Sequence, residues 1–109
     1  MNDINQLTES LIRFRDARDW AQFHNPKDLA LALSIEASEL NECFLWKKPH
    51  EANKDKVAEE LADVFAYALL LAHEMQLDVA AIVSEKIRKN ELKYPVDKAK
   101  GTAAKYDEL

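Results

Sequence analysis

Apolar residues recur every three or four positions along most of the chain, which is the spacing of one face of an α-helix. One such stripe predicts a helix from about Asp3 to Ala17, and another lies within a helix of roughly Lys54 to Gln76. The first stripe consists of Ile4, Leu7, Leu11 and Phe14, and the second of Val57, Leu61, Val64, Ala68, Leu71 and Met75. Three consecutive leucines at 69–71 make the later helix apolar on more than one side, so we expect it to be central or to face a second subunit.

Residues typical of helix ends predict two further helices. Asn25 followed by Pro26 is a typical start, because Asn accepts a hydrogen bond at the N-cap and Pro needs no donor in the first turn. This helix is expected to continue to about Leu45. Asp78 can cap a fourth helix that runs to about Leu92 and is stopped by the Tyr-Pro pair that follows.

The composition favours helices throughout. With one Gly and three Pro in 109 residues, the chain has few of the turn residues that an all-β fold requires. We therefore predict the all-α class, as a four-helix bundle in a single domain over residues 1–109. Residues 96–109 are expected to be a polar tail that is ordered only where it packs on a neighbour. A domain this short often completes its core by oligomerisation.

Charge and cysteine content narrow the functional classes. A net charge of -5 disfavours a nucleic-acid partner, because binding a phosphate backbone relies on basic residues. Cys43 is the only cysteine, which suits a reducing compartment. The sequence contains no apolar run long enough to predict a membrane span, and no signal-peptide core is visible. We therefore expect a cytoplasmic protein without a membrane partner.

Four carboxylates stand out because of their spacing. Glu36 and Glu39 lie one turn apart on the second predicted helix, and Glu60 and Asp63 lie one turn apart on the third. Both pairs have small, aromatic or apolar neighbours on the same face, where like charges would repel unless a cation compensates them. Hard oxygen ligands of this kind are those that Mg²⁺ prefers. The alternative is a solvated acidic face with lysine partners. A di-iron carboxylate bundle is not supported, because no histidine has a glutamate three residues before it.

The two carboxylate motifs, Glu36-Ala-Ser-Glu39 and Glu60-Leu-Ala-Asp63, resemble the metal-binding signature of the MazG-like nucleotide pyrophosphohydrolases, within the all-α NTP pyrophosphatase superfamily. The similarity is greatest to the dCTP pyrophosphatase branch and extends over about residues 11–109. It includes the segments 18–24, 25–29, 44–47, 93–95 and 105–109. Ile35 stands where the wider family often has Glu, and Leu11 stands where the dCTP enzymes tend to have His near the base.

The resemblance implies a four-helix subunit assembled as a homodimer or homotetramer, with more than one chain bounding the active site. It implies Mg²⁺, with Mn²⁺ as a substitute, bound by Glu36, Glu39, Glu60 and Asp63, of which Glu39 and Glu36 would be catalytic. It implies base and sugar contacts from Trp20, His24, Trp46 and Tyr67. It implies phosphate contacts from Lys86, Asn90, Lys93 and Tyr94.

The function expected from the residues and the resemblance together is magnesium-dependent hydrolysis of a nucleoside triphosphate to monophosphate and pyrophosphate. A deoxynucleotide such as dCTP or a modified dCTP is the expected substrate. No glycine-rich phosphate loop is present, so metal and basic side chains would have to bind the phosphates. The alternative is a non-catalytic helical module that binds a nucleotide or a partner helix without cleaving anything.

Overall fold

Five α-helices and no β-strand are found in residues 3–109, the part of the chain that the computed structural model describes. The helices are α1 (Ile4–Asp16), α2 (Pro26–Glu42), α3 (Lys54–Glu74), α4 (Val79–Lys93) and α5 (Val96–Ala99). Short 3₁₀ turns lie at Ala21–Phe23, Pro49–Glu51 and Tyr106–Glu108. The predicted all-α class is confirmed.

Each of the four longer helices begins at a side chain that accepts a hydrogen bond from the first turn. Asn25 accepts from the backbone N–H of Asp28, and Asp78 accepts from that of Ala81. Asp3 and Asn53 cap α1 and α3 in the same way. Such caps satisfy backbone donors that have no partner inside the helix, so these starts follow from local sequence.

A residue with left-handed backbone conformation follows the end of each of the helices α1 and α3. Asp19 and Gln76 both have φ of 56°. The next N–H in each case bonds back over five residues, from Trp20 to the carbonyl of Arg15 at 3.1 Å and from Leu77 to that of Ala72 at 2.8 Å. This closing pattern is the Schellman motif, and it places Trp20 and the 3₁₀ turn after it against the end of α1.

Helix α2 is shorter than predicted and ends at Glu42 rather than near Leu45. The backbone tightens there, since the N–H groups of Cys43, Phe44 and Leu45 each bond to the carbonyl three residues earlier. Trp46 follows with a φ of 62° and is fully exposed. The helical period continues into this segment in the sequence, but the backbone does not continue as an α-helix.

The chain divides between Leu77 and Asp78 into two compact units. In the first unit, α3 packs mainly against α2 and also against α1. Its core contains Leu29, which is 1% exposed, together with Leu69, Leu70 and Ala72. The predicted central position of α3 within its unit is consistent with this packing.

The predicted apolar stripe of α1 is only partly covered within this chain. Ile4 is 39% exposed, Leu7 44% and Phe14 50%. On α3, Leu61 and Met75 are similarly open, and the leucines that are buried are Leu69 and Leu70. The apolar period therefore predicted the helices correctly but not which apolar residues one subunit buries.

The second unit contains α4, α5 and the C-terminal residues. The segment after Val96 has more local structure than the polar tail that we expected. Tyr106 packs edge-on against Tyr94 with 6.2 Å between ring centroids, and the Nζ of Lys93 lies 4.9 Å from the Tyr106 centroid. Within residues 3–109, no individual helix combines the length and apolar character that crossing a membrane requires.

Candidate metal and nucleotide site

The carboxylates of α2 and α3 meet where these two helices pack together. Glu36, Glu60 and Asp63 each place a carboxylate oxygen so that the three oxygens lie within 4.8 Å of one another. Glu39, one turn after Glu36, is exposed, and the neighbouring carboxyl groups of Glu36 and Glu60 raise its pKa. The structure thus brings all four predicted carboxylates into one cluster.

Two oxygens of the cluster, Glu36 Oε2 and Glu60 Oε2, are buried and have no hydrogen-bond partner within residues 3–109. Buried polar atoms nearly always have a partner, because leaving one unsatisfied is costly. A hard divalent cation would satisfy both oxygens and reduce the repulsion among the acids. The donor set is all oxygen and leaves room for water and phosphate ligands, which fits Mg²⁺ or Mn²⁺.

The carboxyl groups of the cluster differ in the direction of their pKa shifts. Lys56, one turn before Glu60 on α3, places its Nζ 2.8 Å from Glu60 Oε1, and this contact holds the pKa of the Glu60 carboxyl below its usual range. Glu39 differs, because the hydrogen bond and charge of Glu36 raise its pKa. Glu60 is therefore held as a carboxylate, while Glu39 retains a proton more readily in the metal-free protein.

A cavity of about 370 Å³ opens on one side of the cluster, with Asp63 in its wall. It contains three of the four residues predicted to contact the base and sugar, Trp20, His24 and Tyr67. The remaining lining residues are Leu11, Phe14, Arg15, Ala66 and Leu70. Its volume and mixture of aromatic, apolar and few polar groups are typical of a small-molecule site.

Aromatic side chains in the wall of this cavity pack against one another. Phe14 and Trp20 pack edge to face with centroids 5.7 Å apart, and the guanidinium of Arg18 lies 3.8 Å from the Phe14 centroid. On the other side, His24 and Tyr67 have centroids 6.5 Å apart. Desolvation, together with the nearby charge of Arg15, lowers the pKa of His24, and its buried Nδ1 has no hydrogen-bond partner in the part of the chain that the structure describes.

A second cavity of about 490 Å³ also borders the cluster. Glu39 and Glu60 line it together with two cations, Lys47 and Lys56.

Our interpretation of the sequence missed Lys56 and Arg15. Lys56 lies one turn before Glu60 and could have been found from that spacing. The role of Arg15 depends on a contact across the fold, which no local pattern indicates.

The remaining predicted site residues do not join these cavities in the residues described. Trp46 is fully exposed and lines neither of the two cavities. The predicted phosphate contacts all belong to the second unit and stay predictions. They are Lys86, Asn90, Lys93 and Tyr94.

Several known proteins are similar to this chain in sequence or in structure. The rat and human proteins named dCTP pyrophosphatase 1 are 40% and 38% identical to this chain, each alignment covering all of it and 67% of the mammalian protein. A crystal structure of a pyrophosphatase from Archaeoglobus fulgidus is also similar. Its TM-score is 0.81 at 38% identity, covering 87% of this chain and 94% of that one.

The family assignment rests on a still more direct match. The model of the MazG-like family matches residues 31–109, a range that includes all four clustered carboxylates. The chain therefore belongs to the MazG-like family.

Proposed function

We propose that this protein is a magnesium-dependent nucleotide pyrophosphatase that hydrolyses a dCTP-like deoxynucleoside triphosphate to the monophosphate and pyrophosphate. The observation that carries the proposal is the carboxylate cluster with two orphaned oxygens, directly beside an aromatic cavity of nucleoside size. The mammalian relatives named dCTP pyrophosphatase and the archaeal pyrophosphatase support both the reaction and the substrate class.

In this proposal Glu36, Glu60, Asp63 and Glu39 bind Mg²⁺, or Mn²⁺ in its place. When bound, the metal supplies charge compensation for the phosphates and acidifies a coordinated water. The compact trio of Glu36, Glu60 and Asp63 suits ligation. Glu39 is exposed and lies outside this trio, which favours it as the group that orients the attacking water and accepts its proton. Glu36 assists because its carboxyl group raises the pKa of Glu39, which makes Glu39 a stronger base.

The reaction follows from this arrangement. Water attacks the α-phosphorus, its proton passes to the Glu39 carboxylate, and the bond from the α-phosphorus to the bridging oxygen breaks to release pyrophosphate. Trp20, Tyr67 and His24 bind the base and sugar in the smaller cavity. Stacking of a base on an aromatic side chain contributes about 1–3 kcal/mol in other nucleotide-binding proteins.

The proposal includes a homodimer or homotetramer. Large apolar residues are exposed on α2 and α3, among them Leu31 at 59% and Phe65 at 61%, and Trp46 is fully exposed. Single soluble chains rarely expose so much apolar surface, and a second copy of the chain would bury these side chains. In such an assembly Trp46 contacts the base or sugar of a nucleotide. The phosphates are bound by Lys86, Asn90, Lys93 and Tyr94.

We also propose a cytoplasmic location and no nucleic-acid partner. The free thiol of Cys43 and the net charge of -5 support these two points respectively.

The deciding experiment measures pyrophosphate release from a panel of deoxynucleotides and ribonucleotides, with Mg²⁺ and with EDTA. We expect release only with the metal, and fastest from dCTP or a 5-modified dCTP. The Glu39→Gln variant is expected to stay folded and lose turnover. If the folded wild-type protein binds nucleotides but releases pyrophosphate from none of them, the non-catalytic binding module replaces this proposal.

A further inference from the structure

Arg15 is buried in the wall of the smaller cavity, although arginine is rarely buried. The residue is 6% exposed, near the end of α1. Its Nη1 lies 2.6 Å from Glu74 Oε1 on α3, and its Nε lies 3.1 Å from Asp16 Oδ1. An arginine in this position is always charged, and all of its polar atoms are hydrogen-bond donors.

Two of the three guanidinium nitrogens are thus held by carboxylates. The third, Nη2, has no hydrogen-bond partner among residues 3–109. It is not fully buried, so a ligand can reach it. Arg15 also lines the cavity. The two carboxylates fix the plane of the guanidinium, so the N–H groups of Nη2 have a defined direction before any ligand arrives.

The rest of the cavity makes such a donor informative. Leu11, Phe14 and Leu70 supply apolar wall, and Asp63 belongs to the metal cluster. Arg15 is the cationic residue of the lining. A buried ion pair contributes little net stability compared with apolar residues of the same volume. Its position therefore favours a role in recognising what enters the cavity.

We propose that Arg15 determines base specificity by donating a hydrogen bond from Nη2 to a carbonyl oxygen on the edge of the nucleobase. Cytosine, thymine and uracil all carry such an oxygen at O2, whereas adenine has ring nitrogens and an amino group but no carbonyl. Arg15 thus selects pyrimidine deoxynucleotides over dATP. This inference rests on the proposed function for the identity of the substrate.

The test compares wild type with Arg15→Met and Arg15→Lys, and uses Arg13→Met as the matched control. Arg13 is an exposed arginine on the same helix whose guanidinium contacts Ser10. The first measurement is kcat/KM for dCTP and for dATP. We expect Arg15→Met to lower the dCTP-to-dATP ratio about 10- to 100-fold, the range for losing one hydrogen bond to a charged group.

Arg15→Lys retains the charge but loses the fork that fixes the donor, so the ratio should fall here as well. This variant decides the question if Arg15→Met does not fold. A purely structural role would lower kcat/KM for both nucleotides in the same proportion. An unchanged ratio in either folded variant, or a wild-type protein that does not prefer dCTP to dATP, overturns the inference.

Calorimetric binding of dCMP and dAMP separates this inference from the proposed function. Both nucleotides bind without turnover, so the comparison does not depend on catalysis. We expect wild type to bind dCMP more tightly and Arg15→Met to lose about tenfold of that preference. If wild type shows this preference, Arg15→Met loses it and wild type releases no pyrophosphate, the proposed function fails and the role of Arg15 stands. Equal dCMP preference in wild type and Arg15→Met overturns the role of Arg15 alone.

Discussion

Replacing Glu74, the ion-pair partner of the buried Arg15, tests how much this contact stabilises the fold. In Glu74→Gln the side chain keeps its size, but the 2.6 Å contact with Arg15 loses its negative charge. Breaking a fully buried ion pair costs about 3–5 kcal/mol. Here the Glu74 side chain is 30% exposed and Asp16 still contacts the Arg15 Nε, so we expect a smaller loss, about 1–2 kcal/mol.

The matched control is an ion pair with the same distance and different burial. Glu85 and Arg88 are also 2.6 Å apart, but their side chains are 49% and 61% exposed. Because water screens exposed charges, Glu85→Gln should leave the free energy of unfolding nearly unchanged.

The assay is thermal unfolding followed by circular dichroism, at one protein concentration because association affects the midpoint. Glu74→Gln should lower Tm by roughly 5–15 °C, at about 4–8 °C per kcal/mol for a domain of this size. Glu85→Gln should lower it by a few degrees at most. Equal shifts in the two variants would refute the argument that burial sets the strength of the Arg15 contact.

Three further predictions concern the carboxylate cluster. Glu39→Gln should lower kcat by about 100-fold or more while Mn²⁺ still binds, with reduced affinity, because the remaining trio keeps its oxygens; a kcat near wild type would remove Glu39 from the chemistry. Lys56→Met should strengthen Mn²⁺ binding, measured by electron paramagnetic resonance, because the ammonium that competes with a cation for Glu60 is removed, and Lys56→Arg should stay near the wild-type affinity; equal affinity in wild type and Lys56→Met would exclude this effect. Mn²⁺ affinity should also fall as the pH drops, because the raised pKa of Glu39 lets a proton compete with the metal; in Glu39→Gln this part of the pH dependence should be absent.

The sequence alone determined those features that depend on neighbouring residues. Asn25 and Asp78 specify helix starts because a side-chain acceptor reaches an N–H three residues on, whatever the rest of the chain does. The spacing of Glu36 from Glu39, and of Glu60 from Asp63, places each pair on one helix face for the same local reason. Each carboxylate pair could therefore be predicted from the sequence.

Only the tertiary structure determined which faces meet. The packing of α2 on α3 brings Glu36 to Glu60 and Asp63, and burial leaves two of their oxygens without partners. The 59-residue separation of Arg15 and Glu74 has no periodic signature, so their contact and the place of Arg15 in the cavity wall were not predicted. The apolar stripe of α1 was assigned correctly to a helix, yet its burial depends on which surfaces cover it. Helical periodicity is a property of a few consecutive residues, whereas contacts between helices depend on how the whole chain packs.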